Sequence, residues 1–154
     1  MIRLGLDLHG VIDAAPELFS DMAKQMRERG HQIFIVTGRE DNEDLHNELK
    51  ACGIEGVYEK HYNSILSITS YQKACGTAVA YLNDDLTQPM MDPKIWNPTK
   101  AMLCATAGID IMIDDSAIYE PFFRDIKTHY IRFTGVYQEF LNFLFYSCGH
   151  DLRL

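Results

Sequence analysis

The chain has 154 residues, a formal net charge of −8 and a hydrophobic content of 47%. This length predicts a single domain over residues 1–154, with one sizeable core. An acidic surface without a cluster of Lys or Arg repels a phosphate backbone, which argues against binding to long nucleic acid. No apolar run is long enough to span a bilayer, so we expect no membrane partner.

The first third of the chain alternates strand-like and helix-like segments. An apolar run at Ile2 to Leu6 predicts the first strand, and helical spacing of apolar residues predicts a helix from Pro16 to Arg29. A second strand is expected at about Gln32 to Thr37. The acid-rich stretch Glu40 to Asp44 then begins a second helix, which Gly53 ends.

The middle of the chain is less regular. We expect a third strand at Val57 to Tyr62 and, within residues 64–97, a small insert that forms a flap or rim. The insert should begin with a short helix ended by Gly76, whose apolar residues are Ile65, Leu66, Ile68 and Tyr71. Strand-like runs at Thr77 to Leu82 and Leu86 to Met91, separated by a turn, predict a hairpin.

The last third returns to regular alternation. Asn97-Pro98 predicts the start of a helix, with Asn as the N-cap and Pro at the first helical position, and Gly108 ends it. Strands are expected at Ile109 to Ile113 and His129 to Phe133, and an amphipathic helix at Tyr137 to Cys148. The alternation predicts an α/β fold with a three-layer α/β/α, Rossmann-like parallel sheet. The insert would lie between the third strand and the helix that contains Lys100.

Polar residues follow three of the predicted strands. They form the segments Asp7-Leu8-His9-Gly10-Val11, Thr37-Gly38-Arg39 and Asp114-Asp115. Because ligands gather beyond the carboxyl ends of parallel strands, one crevice should collect three carboxylates, a hydroxyl and a flexible glycine. Together with Lys100, this set suits a divalent metal and a phosphoryl group.

These residues resemble the motifs of the haloacid dehalogenase (HAD) superfamily, most of whose members are magnesium-dependent phosphohydrolases. The family's motifs are a strand followed by Asp-x-Asp-Gly, a strand ending in Thr or Ser, a lysine, and a strand ending in paired acids. The resemblance covers roughly residues 1–133 and implies a HAD-like domain in the branch with a small cap or none. It implies Mg²⁺ as cofactor and a small phosphorylated substrate.

The resemblance also assigns roles residue by residue. It implies that Asp7 is the nucleophile and a metal ligand, that Asp114 binds the metal directly, and that Asp115 belongs to the same metal site and supports its ligands. The main-chain carbonyl of His9 would be a further metal ligand. The phosphoryl group would be held by Thr37, Gly38 and Lys100.

The aspartates, and three further residues near the predicted site, also have purely structural interpretations. Asp7 would cap the turn into the first helix, and the paired acids would form an Asp-Asp-Ser turn. For Arg39 we favour an ion pair with an acid such as Asp41. For Trp96 we favour core or rim packing over stacking on a substrate ring, and for His61 partly exposed packing over a place in the crevice.

His9 is the departure from the family pattern, because it stands where the family has its second Asp. A histidine can protonate a leaving group and activate water, as that Asp does. We therefore expect a phosphohydrolase that cleaves a small phosphate monoester through an aspartyl-phosphate. The alternatives are a catalytically weakened HAD-fold binding module and a 5′-nucleotidase-like enzyme.

The spacing of cysteines and histidines argues against a C-x-x-C motif and against a zinc site. The four cysteines lie far apart without a C-x-x-C pair, which is typical of a reduced cytoplasmic protein. No histidine is spaced from another His or Cys as zinc ligands are. Since Asp7 interrupts the apolar start, no signal peptide is expected.

Overall fold

A computed structural model of the chain describes residues 1–56 and 60–134. The strands within these ranges are β1 Arg3–Leu6, β2 Gln32–Thr37, β3 Ser64–Ser67, β4 Ala80–Tyr81, β5 Pro89–Met90, β6 Ile111–Asp114 and β7 His129–Arg132. The α-helices are α1 Pro16–Glu28, α2 Glu43–Ala51, α3 Ile68–Ala74 and α4 Pro93–Ala107. A kinked helical turn at Leu8–Ile12 follows β1, and a 3₁₀ turn at Glu120–Phe123 precedes β7.

Five of the strands form one parallel sheet in the order β3-β2-β1-β6-β7. Leu6 of β1 is in register with Ile35 of β2 on one side and with Ile113 of β6 on the other. The chain order along the sheet reverses between β1 and β6, and that reversal is where ligands bind in folds of this kind. The parallel Rossmann-like sheet predicted from the sequence is confirmed.

Helices cover both faces of this sheet. Along β2, Ile33 and Ile35 pack into one core cluster while Phe34 and Val36 pack into the other, because successive side chains point to opposite faces. The first cluster includes apolar residues of α1 and α2, and the second includes Ala101 and Cys104 of α4, among others. The result is the expected three-layer α/β/α arrangement.

The third strand lies later in the chain than the sequence predicts. Residues 60–62 are irregular, so the strand expected at Val57 to Tyr62 was wrong over that part, and residues 57–59 lie outside the described residues. Ile65 and Leu66, which we assigned to a helix, belong to β3 and pair with β2. A run this short shows no decidable period, so pairing with a neighbouring strand determines its conformation.

The helix that carries Lys100 begins earlier than predicted. Its N-cap is Asp92, whose side chain accepts a hydrogen bond from the backbone N–H of Lys94, so the start expected at Asn97-Pro98 was wrong. Asp92-Pro93 is a similar signal five residues earlier than Asn97-Pro98, and Pro98 is accommodated inside the helix. The helix predicted at Tyr137 to Cys148 lies outside the described residues.

The segment between β3 and α4 contains α3 and a short antiparallel hairpin. In the hairpin, Ala80 pairs with Met90 and Tyr81 with Pro89. Lys73 of α3 donates to the Glu40 carboxylate at 2.8 Å, and the Tyr81 hydroxyl donates to the same carboxylate at 2.9 Å. These bonds tie the hairpin to the loop after β2. Within the described ranges, no helix has the length and apolarity needed to cross a bilayer.

Candidate functional site

Two aspartates meet at the point where the strand order reverses. Asp7 follows β1 and Asp114 ends β6, its neighbour in the sheet. The backbone N–H of Asp7 donates to the carbonyl of Ile113 at 3.0 Å, which extends the pairing and aligns the two strand ends. Both side chains are buried. Two carboxylates in this position repel one another unless cations neutralise them.

Lys100 of α4 supplies one such cation from within the core. Its Nζ donates to Oδ2 of Asp7 at 3.0 Å and to Oδ2 of Asp114 at 2.5 Å. The residue is only 1% exposed. Burial by itself lowers the pKa of Lys100, but the two carboxylates outweigh it and hold that pKa above the usual lysine value. Lys100 is therefore a buried ammonium rather than a solvated surface charge.

The charge of Asp7 is only partly compensated by this lysine. Burial raises the pKa of Asp7 to about 6, the Lys100 ammonium opposes that rise, and the nearby Asp114 carboxylate adds to it. Oδ1 of Asp7 accepts a hydrogen bond from the N–H of Leu8 at 2.8 Å. Asp7 therefore caps the turn after β1, as its structural interpretation predicts. Its other oxygen, Oδ2, faces Lys100.

Asp115 completes a group of three carboxylates. One oxygen from each of Asp7, Asp114 and Asp115 lies within 4.8 Å of the other two, and Asp115 is exposed. Three carboxylates face one ammonium here, so the site carries an excess of negative charge. Oxygen donors in this number suit Mg²⁺, which binds a few carboxylates and completes its shell with water and substrate oxygens. The residues present therefore fit a divalent cation.

Gly10 permits the close approach of Asp115. Its φ of +77° lies in the left-handed region, and a Cβ at this position would overlap the Asp115 carboxylate. Oδ1 of Asp13 accepts a hydrogen bond from the Gly10 N–H at 2.6 Å, which fixes the kinked turn after β1. The glycine is thus required both by the backbone conformation and by the carboxylate beside it.

Of the three residues expected to bind phosphate, two line a cavity and one does not. Gly38 and Lys100 line a cavity above the strand ends. Thr37 is fully buried and is not among the residues that line this cavity, and its Oγ1 accepts a hydrogen bond from the N–H of Arg39 at 3.1 Å. The carbonyl of Gly38 accepts a hydrogen bond from Thr69 at 2.6 Å, which fixes the loop.

His9 contacts a residue that the sequence did not single out. Its Nε2 lies 2.6 Å from Oε1 of Glu48, a residue of α2, and His9 also lines the cavity. The other carboxylate oxygen of Glu48 accepts a hydrogen bond from Arg39 at 2.8 Å. The expectation that Arg39 pairs with an acid was right, but the named partner was wrong, because Asp41 pairs with His46 instead.

Aromatic residues form part of the cavity wall. The cavity has a volume of about 310 Å³, and its lining also includes Trp96, Tyr119, Ser116 and, from the hairpin, Pro89. Trp96 Nε1 donates to the Tyr119 hydroxyl at 2.8 Å, and Lys100 Nζ lies 4.4 Å from the centre of the Tyr119 ring. Trp96 is therefore a rim residue, and Tyr119 contributes a cation–π contact to the buried lysine.

His61 takes no part in this cavity. It is buried rather than partly exposed, and its Nδ1 accepts a hydrogen bond from the N–H of Glu55 at 3.0 Å. Burial lowers the pKa of His61, which favours the neutral ring. It is a core histidine that fixes the segment after α2.

Comparisons with known proteins support the fold. No family model matches the chain, and no curated protein matches its sequence. A solved structure of an uncharacterized protein from Corynebacterium glutamicum matches 94% of this chain and 93% of its own, at 10% identity and a TM-score of 0.53. A universal stress protein in complex with cAMP matches 86% of this chain and 98% of its own, at 5% identity and a TM-score of 0.43. At 10% identity, the first match concerns the fold alone.

Proposed function

We propose that this chain is a HAD-like, Mg²⁺-dependent phosphohydrolase that acts on a small phosphate monoester. The observation that supports this function most strongly is the convergence of Asp7, Asp114 and Asp115, the first two of which share a buried Lys100, beside a cavity at the switch point of a parallel sheet. Structural capping accounts for one oxygen each of Asp7 and Asp114, which accept hydrogen bonds from the N–H groups of Leu8 and Ser116. It does not account for the buried ammonium that these two aspartates share, or for the third carboxylate beside them.

Mg²⁺ would be held by the three carboxylates and by the main-chain carbonyl of His9. When bound, the ion would supply positive charge beside the phosphoryl oxygens. Lys100, which donates to Asp7, adds a fixed ammonium beside the cavity, and the backbone N–H of Gly38 would donate to the same oxygens. These groups would orient the phosphate and offset the charge that it carries.

The chemistry divides hydrolysis into two displacements. A carboxylate oxygen of Asp7 forms a bond to phosphorus as the ester P–O bond breaks, and His9 gives a proton to the departing oxygen. The alcohol leaves, and Asp7 carries an aspartyl-phosphate. A water molecule then gives its proton to His9 while its oxygen bonds to phosphorus. The bond from phosphorus to Asp7 breaks, which releases inorganic phosphate and restores both residues.

Phosphate release from an aryl ester and from a panel of alkyl phosphates tests this function. Wild type should release phosphate with Mg²⁺ and not with a chelator, and Asp7→Asn should lose activity by several orders of magnitude. Calorimetry with Mg²⁺ should show weaker binding to Asp114→Asn than to wild type. Turnover that survives in Asp7→Asn would exclude the covalent mechanism, and equal Mg²⁺ affinity would remove Asp114 from the metal site.

One observation favours the second candidate, a catalytically weakened binding module. His9 replaces the family's second Asp, and its Nε2 is already engaged by Glu48. His9→Asp distinguishes the two functions. A rise from negligible turnover would mark the natural protein as a weakened enzyme, whereas preserved or modestly changed turnover would mark His9 as an effective replacement. Nucleoside monophosphates in the ester panel would test the nucleotidase-like alternative.

A further inference from the structure

We propose that Glu48 positions His9, holding its ring in the tautomer that carries hydrogen on Nε2 and leaving Nδ1 for proton exchange with a ligand in the cavity. This inference rests on the proposed function, because it assigns the orientation of the acid/base. In that reaction Glu48 is a positioning residue, since it acts through His9 and not on the substrate.

The contact joins two segments that the fold brings together from far apart in the chain. His9 belongs to the kinked turn after β1, and Glu48 belongs to the second half of α2. Their Nε2–Oε1 distance of 2.6 Å is that of a strong, charge-assisted hydrogen bond. His9 is half-exposed, with 47% of its side chain accessible, so packing alone does not fix its ring. The Glu48 contact supplies that constraint.

The chemistry of the two groups determines which nitrogen carries hydrogen. An ionised carboxylate only accepts hydrogen bonds, so Nε2 must be the donor. A neutral imidazole has one hydrogen, and Nδ1 is then the acceptor. No hydrogen bond to Nδ1 of His9 is found among the residues that the structure describes. His9 lines the cavity, and Nδ1 is the ring nitrogen that Glu48 leaves free. In the imidazolium form, Nδ1–H can give its proton to a leaving group; in the neutral form that results, Nδ1 can accept a proton from water.

Arg39 fixes the carboxylate from its other side. Its guanidinium donates to Oε2 of Glu48 at 2.8 Å, while its own N–H donates to the Thr37 hydroxyl at 3.1 Å. The Arg39 side chain is largely buried, at 15% exposure. Glu48 therefore binds His9 with one oxygen and, through Arg39, the loop after β2 with the other. A carboxylate held at both oxygens orients its partner better than a freely rotating one does.

Nitrogen NMR of His9 in the metal-free protein tests the tautomer without any need for turnover. We would record the spectra at alkaline pH, where histidine side chains in general are neutral. Wild type should show the Nε2–H form, and Glu48→Ala should shift towards a mixture. Glu48→Gln should retain part of the Nε2–H form, because His9 and Arg39 compete for its single amide oxygen. Glu43→Gln, on an exposed acid of the same helix, should leave the spectrum unchanged. An Nδ1–H form in wild type, or an unchanged spectrum in Glu48→Ala, would overturn the proposal.

Kinetics then test the consequence for the reaction. Glu48→Ala should lower kcat on an alkyl phosphate by about ten- to a hundredfold, which is at or below the lower end of the 10²–10⁴-fold that general acid–base catalysis contributes, because the variant disorders His9 without removing it. On an activated aryl ester, which needs little protonation, the loss should be much smaller, and Glu48→Gln should restore part of the alkyl-ester rate. An equal loss on both esters would contradict positioning. If wild type cleaves neither ester, the proposed function fails, while the nitrogen spectra still decide the tautomer.

Discussion

Lys100 and Asp114 form a buried ion pair in which neither side chain reaches solvent. Nζ donates to Oδ2 at 2.5 Å, and the two side chains are 1% and 0% exposed. The same ammonium reaches Asp7, so a single cation serves two carboxylates. Such an arrangement is expensive to disrupt, because removing one partner leaves an uncompensated buried charge.

Replacing Lys100 should therefore reduce stability as well as any activity. We expect Lys100→Met to lower the free energy of unfolding by about 3–5 kcal/mol, the range for a buried pair that loses one partner. Lys94→Met removes an exposed lysine from the same helix and should change stability by no more than about 0.5 kcal/mol. Urea denaturation of the three proteins measures both values. Equal stability of the two variants would show that Lys100 is not the compensating cation.

The deficit of Lys100→Met should depend on pH. Burial already raises the pKa of Asp7 to about 6 in wild type, against the opposing effect of Lys100. Without the lysine, the pKa of Asp7 in the folded state rises further above its value in the unfolded state. The variant therefore loses stability as pH increases from the unfolded-state pKa to the folded-state pKa of Asp7. The difference from wild type should be larger at about pH 8 than at about pH 5. A deficit that grows on acidification would have the wrong sign for this account.

Gly10 should resist substitution for two separable reasons. Gly10→Ala places a Cβ on a left-handed backbone and against the Asp115 carboxylate. Gly76→Ala is the matched control, because Gly76 has a φ of +83° and open space around its Cβ position. The control should cost about 1–2 kcal/mol from the backbone alone, and Gly10→Ala should cost more. Only Gly10→Ala should also weaken Mg²⁺ binding in calorimetry.

Trp96 should report on the position of the loop after β2. A Cβ at Gly38 would lie 2.6 Å from Cζ2 of Trp96, so Gly38→Ala must displace the ring and its hydrogen bond to Tyr119. Trp96 is the single tryptophan of the chain, so its emission should shift in this variant. We expect a loss of about 1–3 kcal/mol, as for other overpacked contacts. In a Trp96→Phe background the same substitution should cost clearly less, and an undiminished cost would place the strain elsewhere.

The sequence predicted the strand ends of the site because local patterns determine them. Asp7 and Asp114 each follow or end an apolar run, and parallel pairing brings such ends together whatever lies between them. Glu48 was missed because its role depends on how α2 packs near the turn after β1, and nothing in its local sequence separates it from a solvated acid. The start of α4 was missed because two similar capping signals, Asp92-Pro93 and Asn97-Pro98, compete only five residues apart.

The most direct test of the central claim is the mass of the intact protein after brief incubation with Mg²⁺ and an excess of an aryl phosphate, followed by acid quenching. A covalent mechanism predicts a fraction of protein heavier by one phosphoryl group, with the added mass on the peptide that contains Asp7. The adduct should be absent with a chelator and in Asp7→Asn. Phosphate release with no adduct, or an adduct that persists in Asp7→Asn, would contradict Asp7 as the nucleophile.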